Sequence, residues 1–141
     1  VSPILTIQAP VDRVWAALTR PELMVQWMSV PEIEISTSWK PGSPFVIKGN
    51  MHGVLFENKG TVLQFEPLRL LRYSHLSSLS ELADEPDNSC QLEFKLIASG
   101  NQTELILRLS NFPTASIYHH FLFYWNVAGR LLKNFVEEQA F

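Results

Sequence analysis

The sequence predicts an α+β fold: one curved antiparallel sheet of about six or seven strands wrapped around a long C-terminal helix, with two short helices after the first strand. Three observations carry this prediction. The longest helix-compatible run, residues 116–138, lies at the C-terminus and presents a broad apolar arc. From Ile33 to Leu109 the apolar residues recur with period two in runs of strand length. Two short helical patterns, divided by Pro21, precede those runs.

At the N-terminus, Ile4 to Gln8 alternates as a short strand. Ala9-Pro10-Val11-Asp12 then opens a helix in which Val14, Trp15 and Leu18 share a face. Pro21 suits the first position of a second helix, with Leu23, Val25, Trp27 and Met28 as its apolar content, and Pro31 ends it. Strand signals follow at Ile33 and Ile35, at Phe45, Ile47 and Met51, at Val62 to Phe65, and at Leu71, Tyr73 and His75. Two more follow at Leu92, Phe94 and Leu96 and at Leu105, Leu107 and Leu109. Residues 41–44, 57–60 and 100–101 read as hairpin connections, because Gly, Pro and Asn punctuate each of them. Ser77 to Asn88 is the most polar and acidic stretch and reads as a loop between strands. Six strands in succession without intervening helices are antiparallel in character.

Thr114 or Ser116 can cap the last helix. At roughly 100° per residue, Ile117, Tyr118, Phe121, Trp125, Ala128, Leu132, Phe135 and Val136 share one arc, widened by Leu122, Tyr124 and Leu131. His119, Asn126, Arg130, Lys133, Asn134 and Glu137 take the other side. So wide an apolar face needs a sheet as its partner. A strongly bent sheet is not filled completely by one helix, so a cavity between the two is expected. Gly129 interrupts the helix at a cost of about 1 kcal/mol relative to Ala, which signals either a close neighbour or simple tolerance.

The 141 residues fit one domain, 1–141, and their 46% hydrophobic content suffices for a core. A net charge of −3 and a pI near 5.8 give no electrostatic case for nucleic acid or an anionic membrane. One cysteine, Cys90, forms no internal disulfide, and with no signal peptide and no apolar run of membrane-spanning length a cytoplasmic protein is expected. The triplet Asn101-Gln102-Thr103 matches a glycosylation sequon, which carries no weight without secretion.

Catalytic motifs are lacking. No Gly-x-Ser-x-Gly elbow is present, and the six glycines are scattered rather than gathered into a phosphate-binding loop. The histidines are His52, His75, His119 and His120; the adjacent pair diverges by roughly 100° on a helix and does not offer the i, i+4 geometry of zinc sites. Neither metal nor cofactor is expected. His75 differs, because alternation puts it on the inner face with Leu71 and Tyr73, where it either orients or protonates a ligand or serves as a core histidine. Arg108, Glu104, Glu57 and Lys59 read as solvent-facing or turn residues. Trp27 and Trp39 lie where they either line a cavity mouth or pack.

Three groups of residues add a resemblance. The run from Ala9 to Leu23 with Trp27 following is the first, and Gly60-Thr61-Val62 leading through Pro67 to Leu71-Arg72-Tyr73 is the second. Thr103-Glu104-Leu105, Asn111-Phe112 and residues 125–132 form the third. On these strings, which span nearly the whole chain, the sequence resembles the START-like (SRPBCC) helix-grip superfamily, in the branch named for activators of heat-shock protein 90 ATPase. His75 stands where many relatives place Trp, and Leu109 where a His is frequent, so the polar lining is rearranged. The resemblance implies a helix-grip fold, and it reaches small-molecule binders, polyketide cyclase-like proteins, resistance proteins and co-chaperone domains alike.

The expected function is binding of a small, mostly apolar molecule between sheet and last helix, with Met51, Tyr73, His75, Tyr118 and Trp125 as cavity candidates. A cyclase- or hydratase-type enzyme, with His75 as acid or base and Tyr73 or Tyr118 assisting, is the alternative, and a chaperone-associated interaction domain is a third. A homodimer through Phe123 and Val127 is also expected, because these i, i+4 neighbours lie opposite the core-facing arc.

Overall fold

The period-two runs pair into one seven-stranded antiparallel sheet in the computed structural model, which describes residues 4–28, 33–51, 53–77 and 89–138. In chain order the elements are β1 (Ile4–Ile7), α1 (Val11–Thr19), α2 (Pro21–Trp27), β2 (Glu34–Thr37), β3 (Pro44–Met51), β4 (Val54–Glu66), β5 (Leu70–Ser77), β6 (Cys90–Ser99), β7 (Gln102–Ser110) and α3 (Ala115–Glu138). The strand order β1-β7-β6-β5-β4-β3-β2 is a run of hairpins from β2 to β7, closed at one edge by β1. This is the α+β helix-grip arrangement, with the pair of short helices after the first strand.

Alternation fixes which face is inward. Phe45 and Ile47 on β3, Phe56 and Val62 on β4, Leu71 and Tyr73 on β5, and Leu92, Phe94 and Leu96 on β6 are all buried, as are Leu105, Leu107 and Leu109 on β7. From α3 they receive Phe121, Trp125, Ala128, Leu132 and Val136. A β-bulge between Val62 and Gln64 interrupts the β4–β5 ladder, and bulges increase local twist and bend, which curves the sheet around its core. Thr114 Oγ1 accepts the Ile117 N–H at 3.1 Å and caps α3, so the predicted start of that helix holds to within a residue.

Gly129 packs against β1. A Cβ built there would lie 3.0 Å from Leu5 Cδ1, so the glycine marks a close approach of helix to sheet edge. Lys133 Nζ donates to Thr6 O at 2.9 Å and Glu137 accepts from the Gln8 N–H at 2.7 Å, tying the same end of α3 to β1.

One connection is corrected. Residues 57–60, expected to be a hairpin turn, lie inside β4, which runs for 13 residues. The β3–β4 turn is set instead around Gly53, whose φ of +88° only glycine adopts without strain. Gly60 serves a different need: a Cβ there would fall 1.7 Å from Ser74 O, so the residue admits the neighbouring backbone of β5. Most of the polar stretch Ser77 to Asn88 lies outside the described residues, with Ser77 itself closing β5.

Candidate functional site

Aromatic rings from the sheet and α3 meet across the inner face. Tyr73, on β5, stacks on Phe45 at 4.5 Å and lies parallel to Phe94 at 6.0 Å between ring centroids. Phe94 meets Trp125 of α3 edge-on at 5.4 Å, and Trp125 touches Trp27 of α2 at 6.4 Å. One step along β5, His75 presents its ring edge-on to Phe121 at 4.9 Å. Edge-on and offset-stacked pairs of this kind are the favoured aromatic arrangements.

Trp39 closes the other side of the cluster. Its backbone has φ +60°, a conformation that bulky residues rarely adopt. Two hydrogen bonds hold it there, from its N–H to Thr37 Oγ1 (3.1 Å) and from Nε1 to Thr19 O (2.6 Å). The result places its ring against Phe45, Phe65 and Tyr73. Backbone strain maintained by surrounding contacts is a recurring mark of ligand-contacting segments.

The titratable groups of the inner face are neutral at physiological pH. Burial lowers the His75 imidazole to about 4, with repulsion from His120 adding to the effect and a backbone hydrogen bond opposing it. Burial raises the Tyr73 hydroxyl well above the ordinary phenol range, helped by the proximity of Tyr124 and Cys90. The Tyr124 hydroxyl is raised by burial as well. The Cys90 thiol is pushed up to about 12 for the same reason; it sits 3.5 Å from His75 O and 4.0 Å from His75 Nδ1. His75 and Cys90 therefore meet as imidazole and thiol, not as an ion pair.

Three buried side-chain polar atoms among the described residues lack a hydrogen-bond partner: Trp125 Nε1, Asn58 Oδ1 and Arg72 Nε. Trp125 contrasts with Trp27 and Trp39, whose indole N–H groups donate to Ala17 O and Thr19 O. Asn58 shares the inner face of β4 with Phe56 and Val62, and its cross-strand neighbours are Ile47 and Ser77.

Of the residues singled out from sequence, the structure brings Tyr73, His75 and Trp125 to one region, linked through Phe94 and Phe121. Tyr118 lies a turn or two from Trp125 on α3, where its ring meets Phe112 edge-on at 5.0 Å; it is linked to the region through Phe112 and Phe121. Met51 ends β3, and its side chain lies outside what is described. The sequence reading missed Asn58, assigned to a turn because Asn-Lys-Gly is a strong turn signal. It also passed over Phe45, Phe94, Tyr124 and Cys90, which alternation or helical phase marks as inward but not as neighbours. Among the described residues, no group of three or more His, Cys, Asp or Glu side chains is placed to hold a metal ion, and no helix is long and apolar enough to cross a membrane.

Comparison with known proteins agrees with this architecture. A solution structure of a protein from Cytophaga hutchinsonii shares 34% identity and superposes with a TM-score of 0.81, covering 97% of this chain and 92% of its own. CalU16 from Micromonospora echinospora shares 25% identity with a TM-score of 0.74 over 97% of this chain and 75% of its own. DynU16, a protein of the dynemicin biosynthetic locus, is alike in fold at 23% identity and TM-score 0.74; 98% of this chain matches 47% of that one. No curated protein matches the chain. The family model described as Activator of Hsp90 ATPase homolog 1-like protein matches residues 8–137, and with a START-like helix-grip fold over the same span the chain belongs to that family.

Proposed function

We propose that this protein binds a small, mostly apolar molecule between the inner face of the sheet and α3, around Tyr73, His75 and Trp125. The observation that carries the reading is the exposure pattern on that face. Asn58 and His75 point inward, as alternation with buried Phe56 and Tyr73 requires, yet each keeps accessible surface. Solvent reaching an inward-facing row supports an opening between strand and helix, and the rings around it offer the apolar lining typical of small-molecule sites.

The acid–base alternative gains little from these groups. An imidazole lowered to about 4 is a weak base, and a phenol raised by burial is a weak acid, so neither is poised for proton transfer near neutrality. Native mass spectrometry of protein purified from its own source tests the proposal. A retained small organic molecule, lost on denaturation, is the expected result. Bare polypeptide, together with no thermal stabilisation by any member of a panel of neutral aromatic probes, would overturn it.

A further inference from the structure

We infer that the indole N–H of Trp125 is the specificity-determining donor of this site, so that the molecule held there is an uncharged aromatic compound carrying an oxygen acceptor. The inference rests on the binding reading above and says what that site selects. Trp125 is 7% exposed, and its Nε1 has no hydrogen-bond partner. A buried donor left unpaired is costly, so an occupant that supplies a carbonyl or hydroxyl oxygen recovers that cost and one that does not leaves it standing.

Among the described residues the rings around the Trp125 indole are those of Phe94 at 5.4 Å, Tyr124 at 5.3 Å and Trp27 at 6.4 Å, and a ring face is a much weaker acceptor than an oxygen. Charge has no counterpart among the inward-facing side chains of the described residues; Arg72, whose Nε is also buried without a partner, alternates to the opposite face of β5 from Tyr73. The inward groups of the described residues are Tyr73, His75, Cys90 and Tyr124, none of them ionised near neutrality, and a carboxylate or ammonium would be desolvated among rings without a countercharge. The site therefore discriminates by neutrality and by one acceptor position.

Three probes of one shape make the test: fluorene, 9-fluorenone and 9-oxofluorene-4-carboxylate. Binding is followed by calorimetry and by the indole N–H resonances of isotopically labelled protein. The native protein should bind fluorenone about tenfold more tightly than fluorene, and the carboxylate at least about tenfold more weakly than fluorenone. Fluorenone, but not fluorene, should move the Trp125 indole proton downfield. In Trp125→Phe the fluorenone-to-fluorene ratio should fall to within about twofold, whatever the change in the two absolute affinities. Should that variant fail to fold, the resonance and the affinity ratio in the native protein decide the matter. Equal affinities for fluorene and fluorenone, a preference that survives Trp125→Phe, or preferential binding of the carboxylate would overturn the inference while leaving the binding site standing. Binding of none of the three would overturn the site itself, and this inference with it.

Discussion

His75 carries a predictable pH dependence, because its native environment favours the uncharged ring. Above its ordinary value of 6.5 both folded and unfolded chains hold it neutral and the folded state loses nothing. Between 6.5 and about 4 the unfolded chain takes up a proton that the folded chain resists, so stability falls as the pH falls through this window. Below about 4 both forms are protonated and the loss levels off. Allowing for the solvent that reaches the ring, the loss should be on the order of 2 kcal/mol. Phe121, Cys90 and His120 are among the groups around it. Urea unfolding across this range should show the loss in the native protein and a flatter profile in His75→Phe; equal slopes would assign the pH dependence elsewhere.

Two glycines test how the elements are joined, and they predict opposite outcomes. At Gly60 the obstacle is backbone: an added Cβ would meet Ser74 O at 1.7 Å, and only separating β4 from β5 relieves it. Gly60→Ala should therefore cost more than about 4 kcal/mol or prevent folding, as read by circular dichroism and urea unfolding. At Gly129 the obstacle is the end of the Leu5 side chain at 3.0 Å, which can rotate. There the Ala variant gains helix propensity of about 1 kcal/mol against a small displacement, and the net change should stay within about 1 kcal/mol of zero. Gly129→Leu overfills the same contact and should destabilise by about 1–3 kcal/mol. A severe effect of Gly129→Ala would mean that β1 cannot give way.

At the scale of the whole molecule, the outer face of α3 leaves Phe123 72% and Val127 45% exposed, among exposed His119, His120, Arg130 and Asn134. We propose a homodimer through this face. A stable interface buries about 800 Å² per partner, far more than two side chains provide, so the neighbouring residues must take part. Sedimentation should show a native dimer at micromolar concentration and a monomer for the Phe123→Glu, Val127→Lys double variant. A native monomer, or a dimer indifferent to both changes, would sink the idea.

The elements themselves were legible in the chain, because burial on one side of a strand or helix imprints a period of two or of 3.6 on local sequence. That imprint marked β5 to β7 and the capped start of α3, and it put Tyr73, His75 and Trp125 on inward faces. Turn placement was less legible: Asn58-Lys59-Gly60 has turn composition, but Gly60 is needed for backbone clearance to Ser74 and only pairing with β5 reveals that. Tertiary structure alone decided which inward residues meet. Ring contacts such as Phe94 with Trp125, the strained seat of Trp39 and the unpartnered Trp125 N–H depend on distances between segments far apart in sequence. Periodicity fixes the direction in which a side chain points; what it meets there is set by sheet curvature and helix placement, which arise only when the whole core is packed.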